Sequence, residues 1–145
     1  MRTTKIDLQC YDYLWFAIDS NGCIIAFTSG GIGDVPEFVC RSKSETEKLE
    51  DYFMSLPNDY SPANLLIDND GSQMALDAEE LAQKGFYYFD ACSDIEYEYG
   101  YSKVSYPDRA LHFTDLPSNI QKIISDHIID VDVSVAERII VKHAY

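Results

Sequence analysis

Basic residues are scarce in this chain. Eleven Lys plus Arg stand against 25 Asp plus Glu, a formal charge of −14. Such a surface repels nucleic-acid phosphates and anionic lipid and favours basic partners, so direct nucleic-acid binding is disfavoured. No stretch approaches the ~18 apolar residues of a membrane span, and residues 1–7 carry no apolar leader core. Cys10, Cys23, Cys40 and Cys92 include no C-x-x-C pair, which predicts reduced core thiols in a cytoplasmic protein. His112, His127 and His143 form neither H-x-x-x-H nor H-E-x-x-H, so a zinc site would depend on the fold alone.

What the chain does have is apolar material. Hydrophobic residues make up 46% of it, with 11 Tyr, 7 Phe and one Trp, which is too much for a disordered segment. A domain of 145 residues buries roughly 68–70% of the surface its unfolded chain exposes. One domain over residues 1–145 is therefore expected.

The most patterned stretch is 11–37. An aromatic and branched run over 11–19, the turn Ser20, Asn21, Gly22 and a second apolar run from Cys23 to Phe27 or Thr28 read as a β-hairpin. Gly30, Gly31 and Gly33 then turn the chain sharply, and Pro36 marks the exit from the sheet. A helix is expected at about 45–56, with Ser44 and Glu47 as a capping box and Pro57 as the stop. Residues 57–73 read as a loop with a brief strand or turn at 65–67. Asp77 is placed to cap a short helix over 78–84 ended by Gly85.

Strands are expected at 86–92, at about 98–106 and around Leu111–Phe113, together an antiparallel meander. Pro117 and the spacing of Ile120, Ile123, Ile124 and His127 or Ile128 predict a last helix, and 137–145 a closing strand. The expected fold is α+β: a single domain with a twisted, mostly antiparallel sheet and two or three packed helices.

Chemical motifs are weak. The glycine corner follows a strand but lacks Gly-Lys-Ser/Thr, breaks G-x-G-x-x-G spacing and carries Asp34 and Glu37, so it reads as a turn, not a phosphate cradle. Asp68, Asn69, Asp70 and Gly71, with Asp77 beyond, resemble part of a calcium loop, but Leu66 and Asp77 occupy its first and last positions. An Asx turn is the plainer reading. A Cys–His pair has no oxyanion device or nucleophile elbow beside it. Asp12 and Asp19 suit turn and edge positions more than general acid–base work. No cofactor or metal is expected.

Residues 58–108 hold 11 acids and 2 bases, a net of −9. Within them, residues 94–101 alternate carboxylates with tyrosines at strand period, giving one anionic and one aromatic face. Tyrosines offer contact area at low entropic cost and carboxylates steer a basic partner. Asp68, Asp70, Asp94, Glu96, Tyr97, Glu98, Tyr99 and Tyr101 are the expected partner-binding residues; the bland reading has the tyrosines packing the sheet while the acids solvate its face.

Trp15, Phe16, Ala17, Ile18 and Asp19, then Asn21 and Gly22, residues 26–30, Gly33, Val35, Pro36 and Glu37, with Leu116 and Pro117 later, give the chain a further reading. It resembles small bacterial immunity proteins of contact-dependent growth inhibition and related polymorphic toxin systems. The likeness implies a non-catalytic cytoplasmic protein that binds the C-terminal domain of a cognate toxin and blocks its active site or substrate entry. The toxin domain expected is a basic ribonuclease or tRNase, with no direct contact to nucleic acid or membrane. The motif residues look structural, so the likeness passes on no binding residue. The alternatives are a small acidic binding or scaffold domain without a toxin, an acid–base hydrolase, and a nucleic-acid mimic.

Overall fold

Asp19 closes the first hairpin. In the computed structural model, which describes residues 1–92 and 100–145, strands β1 (Leu14–Ile18) and β2 (Ile24–Thr28) pair antiparallel. Between them Asp19 Oδ1 accepts the backbone N–H groups of Asn21 at 2.9 Å and Cys23 at 2.8 Å. Gly22, at φ +84°, supplies the left-handed residue that the turn needs.

Four further strands extend this hairpin into one sheet: β3 (Ala63–Leu65), β4 (Tyr87–Cys92), β5 (Gly100–Pro107) and β6 (Arg138–Ile139). The order is β1-β2-β4-β5-β3, with β6 also on β5. All pairings are antiparallel except β2 with β4, which is parallel. The sheet is therefore mixed and mostly antiparallel, and the fold is α+β. The expected meander fails at its third strand. His112 makes only an isolated bridge to Cys23, because Asp115 Oδ2 takes the His112 N–H at 3.0 Å and a 3₁₀ turn follows at Phe113–Asp115.

The expected closing strand at 137–145 shrinks to two residues for a geometric reason. The same side of β5 is shared: Lys103 N–H donates to Glu137 O, while the adjacent Val104 O already accepts Leu66 N–H beyond β3. The rest of the C-terminal segment leaves the sheet and crosses its face, where Ala144 N–H reaches Val35 O at 3.0 Å.

Both faces of the sheet are covered, which explains why β1 and β2 read as continuous apolar runs instead of alternating ones. One face carries Phe16, Ile18, Ile24, Ala26 and Tyr88 against the helices α3 (Lys43–Ser55), α4 (Gln73–Gln83) and α5 (Ser118–Ile124), through Leu49, Phe53, Leu81, Ile120 and Ile124. The other carries Trp15, Ala17, Ile25, Phe27, Phe89 and Tyr101 against Leu8 of α1 (Lys5–Cys10), Val39 and Cys40 of α2 (Glu37–Cys40), and the chain from Ile129 to Val141. Trp15 stacks on Phe27 with centroids 3.9 Å apart. Each such side chain contributes roughly 1.5–3 kcal/mol by burial.

The three sheet-packed helices lie close to where their patterns put them, with shifted starts. Ser42 caps α3 through Glu45 N–H, so the helix begins before the expected Ser44 box. Ser72 caps α4, its Oγ accepting Ala75 N–H at 3.2 Å. Asp77 is consequently a residue inside α4, where its carboxylate accepts Gln73 Nε2 at 2.8 Å. Asp70 Oδ1 holds Ser72 N–H and Gly71 sits at φ +76°, so the calcium-like motif is a turn leading into a helix cap. Short α1 and α2 were not expected. Thr4 and Asp7 form a capping box on α1, a Thr-x-x-Asp spacing already present in the sequence.

Candidate partner-binding surface

The parallel pairing of β2 with β4 sets Thr28 beside Asp90, and the antiparallel pairing of β1 with β2 sets Leu14 opposite Thr28. One end of the sheet thus gathers Asp12, Thr28 and Asp90. Helix α4 adds Asp77, Glu80 and Leu81, three and four residues apart on one face, and α3 adds Met54. Together Asp12, Leu14, Thr28, Met54, Asp77, Glu80, Leu81 and Tyr88 line a cleft of about 200 Å³.

A hydrogen-bonded chain runs from its Thr28 and Tyr88 lining to Asp90 beside it. Thr28 Oγ1 donates to Asp90 Oδ1 at 2.5 Å and lies 2.7 Å from Tyr88 Oη. Burial raises the Asp90 carboxyl above its usual range, the Thr28 bond opposes that, and Asp12 adds to it. Burial also raises the Tyr88 phenol, with Asp90, Asp77 and Asp12 all adding. The three carboxylates therefore act on one point. Among the described residues no Lys, Arg or His stands at ion-pair distance from Asp12, Asp77 or Asp90.

Five of the chain's 11 Lys and Arg residues are engaged elsewhere. Arg2 pairs with Glu37, Arg41 with Asp126 and Lys43 with Asp7. Lys84, 3% exposed, donates to the carbonyls of Met54 and Leu56 and lies 3.6 Å from Glu80. Lys103 Nζ donates to Val133 O at 2.6 Å. A second, adjoining cleft shares Asp12 and Leu14 and continues to Glu47 and Glu50 on α3; burial, with Asp51 and Glu47 adding, holds the Glu50 carboxyl up.

Of the residues expected to bind a partner, Asp68 and Asp70 are exposed on the β3–α4 connection. Asp70 is held below its usual pKa by hydrogen bonds from Ser72. Asp94, Glu96, Tyr97, Glu98 and Tyr99 lie outside the described residues. Tyr101 is a correction: it is fully buried. Its pleat position points it into the Trp15 and Phe27 side of the core, at ring distances of 5.6 and 5.0 Å. The cleft acids and Asp90 were missed because Asp90 reaches Thr28 only through a parallel strand pairing and Asp77 and Glu80 reach the sheet end only through the packing of α4, neither of which local pattern signals; the one available hint was the pair Asp77 and Glu80 on a helical face.

Other chemistry is spoken for. In the glycine corner the N–H of Gly30 goes to Asp12 Oδ1 at 2.7 Å, and those of Ile32 and Gly33 go to Ser29 O, so these donors are not free to hold a phosphate. Cys23 Sγ lies 3.8 Å from His112 Nε2, but burial, with Asp19 and Asp132 adding, pushes the thiol up to about 11, which keeps it from being a ready nucleophile. Cys40 is a buried thiol as expected, whereas Cys10 is exposed and so is not a core thiol. Among the described residues no group of three His, Cys, Asp or Glu is placed to hold a metal, and no helix is long and apolar enough to cross a membrane.

The chain matches no protein-family model, no curated protein and no solved structure.

Proposed function

We propose that this protein is an immunity-type inhibitor that binds a basic toxin domain in the cytoplasm through the acidic end of its sheet. The observation that carries the reading is the cleft lined by Asp12, Asp77 and Glu80, with Asp90 hydrogen-bonded to its Thr28 wall, where among the described residues no cation stands at ion-pair distance from the three aspartates. Like charges held together in a partly desolvated site lower the stability of the free protein. A cationic partner relieves that repulsion and is steered to the surface by a charge of −14. Carboxylates in this position take the place that substrate phosphates occupy on a basic nuclease. The resemblance carried by residues 15–37 supplies the biological setting.

The test is co-expression with the C-terminal domain of a large secreted protein encoded beside it, followed by calorimetry and a nuclease assay. One-to-one binding with loss of nuclease activity is the expected result. Binding without inhibition would leave an acidic scaffold domain instead. A second reading rests on Asp90: a carboxyl held protonated more readily than usual is the property of a general acid. Turnover of a hydrolase substrate panel that is lost in Asp90→Asn would favour it over inhibition.

A further inference from the structure

The cleft between α3 and α4 is small, and its lining combines apolar and acidic side chains. Leu14, Met54 and Leu81 supply its apolar wall. Asp12, Asp77 and Glu80 supply the charge. Its volume of about 200 Å³ falls below the roughly 300–1,000 Å³ of clefts that take cofactors and drug-sized ligands. The acids exclude an anionic occupant. A small cleft lined by both aliphatic side chains and carboxylates fits a group with an aliphatic stem and a cationic head, the build of an arginine or lysine side chain.

We infer that this cleft is the socket for one basic side chain of the partner, its methylene stem against Leu14, Met54 and Leu81 and its charged head held by Asp12 and Asp77. This inference rests on the inhibitory reading for the identity of the partner. The chemistry of the occupant is set by charge complementarity. Asp77 already orients its carboxylate through Gln73, and Asp12 through Gly30 N–H, so both are held in place before the occupant arrives, which reduces the ordering cost of binding. Glu80 already has Lys84 at 3.6 Å, which leaves the two aspartates as the principal acceptors.

The experiment needs no partner. The ¹⁵N-labelled full chain is titrated with N-acetylarginine amide and, separately, with N-acetylcitrulline amide, its uncharged isostere. Saturable amide shifts at Thr28, Asp77 and Leu81 with the arginine compound, weaker by roughly tenfold or more with citrulline, are expected. Asp77→Asn, which keeps an acceptor for Gln73, reduces them, and the Asp12→Asn, Asp77→Asn pair removes them. Equal response to the two compounds, shifts scattered over the acidic surface, or shifts that survive the double substitution overturn the socket. A basic toxin domain that is bound and inhibited equally well by the double variant also overturns it, while leaving the inhibitory function standing; loss of all toxin binding by the unsubstituted chain with the arginine response intact does the reverse.

Discussion

Gly33 and Tyr101 stand so close that a β-carbon on the glycine would lie 2.6 Å from the phenolic oxygen and 2.8 Å from Ala91 Cβ. The same phenol donates to Asp34 O at 2.8 Å and accepts from Trp15 Nε1 at 3.3 Å. The glycine corner is thus fastened to the centre of the sheet, and the Trp15 and Gly33 of the patterned stretch are two ends of one packing contact.

Gly33→Ala is expected to destabilise the protein by about 1–3 kcal/mol through overpacking, since the atoms it meets belong to buried strands. Tyr101→Phe relieves none of the crowding with Ala91. It strands the Asp34 carbonyl and the indole N–H, at a cost of about 1–3 kcal/mol for a buried group left unpaired. Urea denaturation of the two variants checks both. A Tyr101→Phe protein as stable as the parent would mean that the phenol's bonds contribute nothing net.

Asp19 is 3% exposed and accepts three backbone N–H groups, the third from Val133 at 3.0 Å. It therefore joins the first hairpin to the segment that covers the far face of the sheet. Asp19→Ala is expected to lose about 3 kcal/mol or more, and Asp19→Asn less, because one acceptor oxygen remains. Hydrogen exchange should show the Val133 and Cys23 amides among those released first. Unchanged protection at Val133 in Asp19→Ala would contradict the anchoring role.

His127 is 1% exposed and reads the open edge of β1, its Nδ1 lying 3.4 Å from Phe16 O and its backbone carbonyl accepting Ile18 N–H. Burial lowers its pKa below the ordinary 6.5; Asp126 opposes this, as do the Phe16 carbonyl and Glu45, while Arg41 reinforces it. The neutral ring is the folded form, so its contribution is complete above about pH 6.5 and is lost as pH falls from there through the folded-state value. The expected slope is at most about 1.4 kcal/mol per pH unit. Denaturation midpoints between pH 7.5 and 5.5 should fall for the parent and flatten for His127→Asn; parallel curves would remove the histidine from the account.

Local pattern reached most of the elements. Leu49 and Phe53 on α3 and Ile120 and Ile124 on α5 sit inside where their spacing placed them. The aromatic and branched runs became β1, β2, β4 and β5. Three things escaped it for physical reasons. A parallel neighbour for β2 leaves no trace in either strand, so the meeting of Thr28 and Asp90 was invisible. Tyr101 alternates with Gly100 and Ser102 much as a surface tyrosine would, and only the covering of the second face by the C-terminal chain makes it core. The competition of β3 and β6 for one side of β5 shortened the last strand, a long-range effect that residues 137–145 do not encode.

Asp90 gives the sharpest test of whether the acidic end serves binding at the expense of stability. Its folded-state pKa is raised by burial, with Asp12 adding, so its ionised form at neutral pH opposes folding, and this penalty appears as pH rises above the ordinary carboxyl value. Asp90→Asn keeps an oxygen for Thr28 and removes the charge. It is expected to raise stability at pH 7 by about 0.5–2 kcal/mol, the usual yield of relieving an unfavourable charge, with the gain shrinking as pH is lowered toward 4. The same change should slow association with a basic toxin domain and reduce the fall in association rate that added salt produces in the parent. Urea midpoints and stopped-flow association at two salt concentrations measure the two sides. A variant that is more stable and binds as fast as the parent would mean that the repulsion at this end is unrelated to partner recognition.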